Sequence, residues 1–332
     1  MAYELLSSEE RRLLARLSVF RGGFTLEAAE DVCDARVGVL SSLADKGLVR
    51  HSEGRFWLPQ NVRTHAGNQL DALSEANGLR ARHAEHFLAH CELAVQHDQG
   101  RSKGMPARLD LEQANLAATL DWLQAAGDTQ NALLVAAVRV RLTTTTGSHA
   151  HARRWLETTL AADTDATEAR ALALDAASEL ALDVGDVATG RAQAHEALSI
   201  RRFLGDVRGA AHSTFILGRL EISAGDLDAA ALLFKESLED LEAHTLDCLV
   251  HFAFLHALGG RGELATLLVS SSLALQQATE LSLPFDQLQM NAATLTRIRE
   301  QLDEPAFMEA WERGRRLTLA EAVALARDET LS

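Results

Sequence analysis

Apolar positions along this chain recur every three or four residues almost from end to end, the period of amphipathic helices. The four prolines, Pro59, Pro106, Pro284 and Pro305, fall at boundaries of this pattern rather than inside it. Ser7 as N-cap with Glu10 at N3 forms a capping box, and Leu13, Leu14, Leu17 and Phe20 then make one apolar stripe that Gly22-Gly23 ends. A second helix is expected from Leu26 to Cys33 behind Thr25, and a third from about Val37 to Gly47. That third helix turns Val37, Leu40, Leu43 and Leu48 inward and Ser41, Ser42, Asp45 and Lys46 outward. Two strand-like runs follow, Leu48–His51 and Arg55–Leu58, around the turn Ser52-Glu53-Gly54. Three short helices and a hairpin predict a winged helix.

From Asn61 onward the pattern is helical. A long stretch from Leu79 to Val95 leads into the polar segment Gln99–Pro106, a linker by composition. Beyond it lies a repeat: Gly147, Gly185, Gly225 and Gly262 each open a helix, at spacings of 38, 40 and 37 residues. Thr159-Leu160, Ala197-Leu198, Ser237-Leu238 and Ala274-Leu275 recur at one place in the units, and Ala152, Gly190 and Ala230 at another, where the fourth unit has Leu267. Gly127-Asp128 and Gly205-Asp206 stand midway between units, so each period holds two helices. Small residues at recurring positions let helices approach closely, as in an α-solenoid of hairpins. The period exceeds the roughly 34 residues of standard tetratricopeptide repeats, which implies longer helices. The expected fold is all-α: a winged helix with a small β-hairpin (1–70), a connecting helical region (71–105) and a tetratricopeptide-like superhelix (106–332).

Composition narrows the function classes. The 332 residues are 47% hydrophobic, enough for a core, and no apolar run is long enough to cross a membrane as a helix. Cys33, Cys91 and Cys248 are few and far apart, and the N-terminus lacks a basic segment before an apolar one, so a cytoplasmic protein with reduced thiols is expected. The net charge is −15, yet residues 1–70 balance nine Lys+Arg against nine Asp+Glu, so all of it lies in residues 71–332. An acidic chain of this kind is not built to coat nucleic acid.

Leu17-Ser-Val-Phe-Arg-Gly-Gly-Phe-Thr-Leu-Glu-Ala-Ala-Glu-Asp-Val-Cys33 resembles a segment of bacterial signal-transducing ATPase transcriptional regulators with LuxR-, MalT- or AfsR-like architecture. The likeness continues through Leu40–Val49, Arg55–Leu58, Val62-Arg63, Arg82–Leu88, Glu112–Trp122, Arg153–Glu157 and Gly314–Leu325. In that family an NB-ARC-type nucleotide-binding module precedes the winged helix, and tetratricopeptide-like repeats follow it. This sequence resembles the part after the ATPase module, and it holds no G-x-x-x-x-G-K-[ST] phosphate loop. Met1-Ala2-Tyr3-Glu4 reads like an internal family segment given a new methionine, which fits a fragment as well as a short gene. Where relatives carry Leu-Glu-Thr, or a Met-His-Asp motif that touches nucleotide, this chain has Pro59-Gln60-Asn61, with neither imidazole nor carboxylate. His65 stands where the family usually has Tyr. The resemblance implies a regulatory and sensor portion that binds a protein or small effector on its superhelix, with an NB-ARC-type ATPase module as partner in cis or in trans. No cofactor is expected for this chain.

Three sets of residues are candidates for chemistry. Arg50, Arg55 and Arg63 near the hairpin are candidate phosphate contacts, the basis of an alternative in which the winged helix binds DNA alone and the solenoid dimerises. His83, His86 and His90 share a helix face, with Cys91 beside them, as metal-ligating types, although core or surface histidines are the plainer reading. Arg139, Arg141, His212, Arg219, His251 and His256 are the residues on the first helices of the hairpins placed to face a ligand. Those helices are expected over about Ala132–Thr145, Ala169–Leu182, Val207–Ala224 and Thr245–Leu258. Neither a nucleophile elbow nor a Cys/His pattern nor paired acids are present, so no enzymatic activity is expected.

Overall fold

A computed structural model describes residues 5–100, 109–143, 149–239, 245–279 and 285–328. The chain is all-α with one small sheet, and its described residues divide into two compact units that meet in sequence between 164 and 165.

The first unit begins with α1 (Ser8–Leu17), β1 (Phe24–Thr25), α2 (Leu26–Cys33), α3 (Val37–Asp45), β2 (Arg50–Ser52) and β3 (Arg55–Trp57). It continues with α4 (Gln60–Asp71), α5 (Ala76–Gly100), a 3₁₀ turn (Leu109–Glu112), α6 (Gln113–Ala126), α7 (Thr129–Thr143) and α8 (His149–Ala162). The capping box is present in full: the Glu10 amide donates to Ser7 Oγ at 3.2 Å, and the Ser7 amide donates to Glu10 Oε2 at 2.7 Å. Thr25 Oγ1 caps α2 by accepting from the Ala28 amide at 3.1 Å. Leu13, Leu14, Leu17 and Phe20 are all buried, as their spacing requires. Val37 is not: it is 55% exposed, because α3 starts there and its buried face begins at Leu40.

The hairpin closes on a two-residue turn in which Glu53 and Gly54 have φ of 51° and 75°, both left-handed as a type I′ turn demands. Its register sets Arg50 opposite Trp57, His51 opposite Phe56 and Ser52 opposite Arg55. The sheet has a third strand that sequence patterning did not reveal. Phe24 pairs with Phe56 and Thr25 with Arg55, giving the antiparallel order β1-β3-β2 of a winged helix. Phe20, stacked on Phe24 with centroids 4.6 Å apart, joins this sheet to His83 and Phe87 on α5.

The second unit runs α9 (Glu168–Asp183), α10 (Val187–Leu204), α11 (Val207–Ala224), α12 (Leu227–Glu239), α13 (Thr245–Leu258) and α14 (Gly262–Thr279). It ends with α15 (Phe285–Gln301), α16 (Glu304–Gly314) and α17 (Leu319–Asp328). From α9 to α14 each helix packs on the next in chain order, as in stacked hairpins, and α15 to α17 close around α13 and α14. α9, α11 and α13 match the expected ranges closely, and α7 covers the expected range up to Thr143, beyond which the residues lie outside those described. Gly262 is the first residue of α14, and the turn before it is made by Gly260, with φ of 76°. Gly147, the end of the four-Thr run and most of the Gln99–Pro106 segment lie outside the residues described, although α5 itself extends to Gly100, and Ala152 falls within α8.

The recurring small positions are where helices touch. Ala197, Ser237 and Ala230 are fully buried, and Ser237 Oγ donates across the hairpin to the Ala211 carbonyl at 2.9 Å. In the fourth unit Ala274-Leu275 are only half-buried, in keeping with its weaker pattern. A Cβ on Gly218 of α11 would stand 2.5 Å from the ring of Phe234 on α12, a fully buried side chain with no room to move. Gly218→Ala is therefore expected to destabilise by about 1–3 kcal/mol through overpacking. Gly67→Ala on α4, where a Cβ meets only Ser18 Oγ at 3.9 Å, should instead stabilise by about 0.5–1 kcal/mol. Urea unfolding of the two variants checks the opposite signs.

Candidate functional site

Three places bring functional side chains together. The first is the back of the winged helix, where the wing meets α6. Asn115, fully buried, accepts on Oδ1 from the Arg21 and Gly22 amides at 3.0 and 3.3 Å. Its Nδ2 donates to the Gly23 carbonyl at 2.9 Å and to Glu112 Oε2 at 2.6 Å. Arg55 completes the arrangement: Nη2 lies 2.5 Å from Glu112 Oε1 and donates to the Gly23 carbonyl at 2.9 Å. Arg21 reaches Asp121 at 2.5 Å. One amide side chain thus clamps the Gly22-Gly23 turn to the helical region behind it.

This arrangement decides what the candidate phosphate contacts can do. Arg55 is four-fifths buried in its ion pair, and Arg63 donates to the Arg21 carbonyl and to Gln60. Arg50 is exposed on β2. On α3 Lys46 is joined to Glu10, and Ser42 donates to the same carboxylate at 2.7 Å. Lys46, then Ser42 and Ser7, hold the Glu10 carboxyl down at about 2. Arg55, Arg63 and Lys46 are thus engaged with the chain's own oxygens.

The second place is α5. His83 is buried against Phe20 and Phe87, and that burial pushes its imidazole down to about 4. His86 points to Asp31, Nδ1 to Oδ2 at 2.6 Å, and His90 Nδ1 faces the His86 carbonyl at 2.7 Å. Cys91 is buried, its thiol raised to about 12 by burial. Among the described residues no three His, Cys, Asp or Glu side chains stand as a metal-ligand set. Beside this helix, Glu75 bridges Arg16 and Arg12, each at 2.7 Å, and those two hydrogen bonds hold its carboxyl at about 2.

The third place is the helical stack. Its neighbouring helices are tied by arginine–carboxylate pairs: Arg170 to Glu196 at 2.6 Å, Arg191 to Glu221 at 2.7 Å, and Arg219 to Glu179 at 3.3 Å. At the centre, Arg201 Nη2 meets Asp175 Oδ2 at 2.8 Å and Nη1 meets Asp206 Oδ2 at 2.6 Å, while Ser213 donates to Asp175 Oδ1 at 2.8 Å. Asp175 is fully buried and Arg201 nearly so. An open cleft of about 220 Å³ adjoins this network, lined by Arg201, Arg202, Val207, Ala210, Thr214 and Glu236.

Of the six residues proposed to face a ligand, Arg139 and Arg141 belong to the first unit and the other four to the second. His251 and His256 lie in the core of α13, His251 between Phe215 and Phe234 and His256 against Phe252. Arg219 is in its pair with Glu179, and Arg141 and His212 are half-buried. Arg139 is buried in the first unit against Trp155. Sequence reasoning missed Asp175, Arg201, Glu112 and Asn115. Their sole signal was polarity inside otherwise apolar helix faces, which reads equally well as a solvated residue.

Fold and sites together define an all-α protein with a winged helix and stacked helical hairpins. No helix of the described residues is long and apolar enough to cross a membrane. No family model matches the sequence. Uncharacterized proteins of Mycobacterium tuberculosis and Mycobacterium bovis are 35% identical over 98 residues, which covers 26% of this chain and 25% of each of them. The chain thus spans about a quarter of the length of these curated relatives. Among solved structures, a signal transduction ATPase with numerous domains carrying a tetratricopeptide repeat sensor, from Pyrococcus horikoshii, aligns over 97% of this chain and 65% of its own, with a TM-score of 0.34 and 15% identity. So loose a likeness supports no conclusion on its own.

Proposed function

We propose that this chain is the regulatory and sensor portion of a bacterial transcriptional regulator, acting by protein or effector binding and not by catalysis. The observation that carries this reading is the clamp of Asn115, Glu112 and Arg55 on the Gly22-Gly23 turn and the wing. A winged helix whose wing arginine is held by its own helical region is arranged as a packing module. The likeness of Leu17–Cys33 and Glu112–Trp122 to segments of signal-transducing ATPase regulators supports the same reading. In this scheme the organisation is a winged-helix domain (1–70), a connector (71–105) and a superhelix (106–332). A ligand on the helical repeats shifts how the winged helix packs against an NB-ARC-type ATPase module, by favouring one of two arrangements. The cleft beside Arg201 and Arg202, with the exposed Val207 in its lining, offers a surface of mixed charge and apolar character for a protein partner.

DNA binding provides the test. Fluorescence anisotropy with a random-sequence duplex pool, from about 50 to about 200 mM salt, is expected to show weak binding that vanishes with salt and selects no sequence. Arg50→Ala should remove most of that residual binding. Tight, sequence-selective binding by this chain alone would instead establish a stand-alone DNA-binding regulator.

A further inference from the structure

Three arginines are buried among the described residues: Arg139, Arg170 and Arg201. Arg170 and Arg201 have carboxylate partners at 2.6 and 2.8 Å. Arg139, on α7, is only 5% exposed and forms no ion pair among the described residues. Its Cζ lies 3.5 Å from the centroid of the Trp155 ring on α8, so the guanidinium rests flat against the indole. Nε and Nη1 are buried without a hydrogen-bond partner. Burial lowers the group only to about 10, so it remains a cation at neutral pH.

The neighbouring groups do not neutralise it. Asp121, the carboxylate whose field reaches it, is engaged with Arg21 at 2.5 Å. Cys91, the other group whose field acts on it, is a buried thiol held protonated up to about 12. A charge removed from water without a counter-ion is strongly unfavourable, and the indole face compensates only a part of that. Guanidinium is the side chain best matched to a planar or tetrahedral oxyanion, because Nη2 shares one edge with Nε and another with Nη1. Two parallel N–H donors are therefore available on either edge.

We propose that Arg139, laid flat on Trp155 between α7 and α8, anchors a binding site for a small ligand bearing an oxyanion, a carboxylate or a phosphate. The chemistry stands on the unpaired guanidinium; its meaning as an effector site rests on the sensor reading above. The DNA measurement tests that reading separately, so the two can fail independently.

The test is calorimetric titration of the full chain with inorganic phosphate and with succinate, at constant ionic strength set by sodium chloride. At least one of the anions is expected to bind saturably and to change tryptophan fluorescence, with Trp155→Phe binding while losing most of that change. Arg139→Lys keeps the charge but not the fork, and should bind at least about tenfold more weakly. Arg139→Met should not bind and should melt no lower than the unmodified chain, since it removes an uncompensated charge. Should Arg139→Met not fold, the lysine variant carries the comparison. Phosphate alone binding assigns a phosphorylated ligand, succinate alone a carboxylate, and either supports the site. Saturable binding of neither anion by the unmodified chain, or undiminished binding by the Arg139 variants, overturns it.

Discussion

Asp175→Ala is expected to destabilise the helical stack by about 3–5 kcal/mol, a large share of the stability of an ordinary domain. Asp175 is fully buried on α9 and accepts from Arg201 Nε and Nη2 of α10, at 3.1 and 2.8 Å, and from Ser213 of α11, at 2.8 Å. Removing the carboxylate leaves Arg201 buried with Asp206 as its remaining ion-pair partner, and leaves the Ser213 hydroxyl without its acceptor. The penalty is the desolvation of the groups left behind more than the worth of the pair itself. That distinction is measurable. The double variant Asp175→Leu/Arg201→Met, which replaces both charges by apolar groups, should recover most of the loss. Urea midpoints of the three chains decide the matter: a double variant as unstable as Asp175→Ala would mean that the helices need the pair for their geometry.

This network shows where sequence reading ends. The helices themselves were legible, because caps and period are local: Ser7 with Glu10, Thr25, the glycine turns and the apolar stripes each involve residues within one or two turns. The hairpin was legible from the turn between Ser52 and Arg55. Strand β1 was not, since two residues carry no alternation and its pairing with β3 spans about thirty positions. Asp175, Arg201 and Ser213 lie 26 and 38 residues apart, so nothing along the chain links them. For α9 and α13 period fails for a further reason. Helices buried on nearly every side have no polar face to announce which residues look outward, so His251 and His256 were assigned to a ligand face and belong to the core. Arg139 was placed with the ligand-facing residues for its charge on a hairpin's first helix, and only the structure shows that it is buried with two nitrogens unsatisfied.

The buried histidines predict a second large effect, with pH. Burial lowers both His83, in the first unit, and His256, in the second, from about 6.5 to about 4. Above pH 6.5 each is neutral in folded and unfolded chains alike, and stability is unaffected. As pH falls below 6.5 the unfolded chain takes up a proton that the folded chain refuses, so stability drops by about 1.4 kcal/mol per pH unit and histidine until about pH 4. The loss approaches about 3 kcal/mol for each unit of the structure. Glu10 and Glu75, held near 2 by their hydrogen bonds, act in a lower window: their stabilisation is full above about 4.5 and disappears only as pH falls towards 2. Unfolding should therefore begin well above the carboxylate range. His256 offers the cleaner check, because neither ring nitrogen has a partner and the ring lies against Phe252. His256→Leu is expected to raise stability at pH 7.5 by about 1–3 kcal/mol, by removing two unsatisfied buried nitrogens. It should also flatten the second unit's dependence between pH 6.5 and 4. A slope in that range as steep in the variant as in the unmodified chain would show that His256 does not set it.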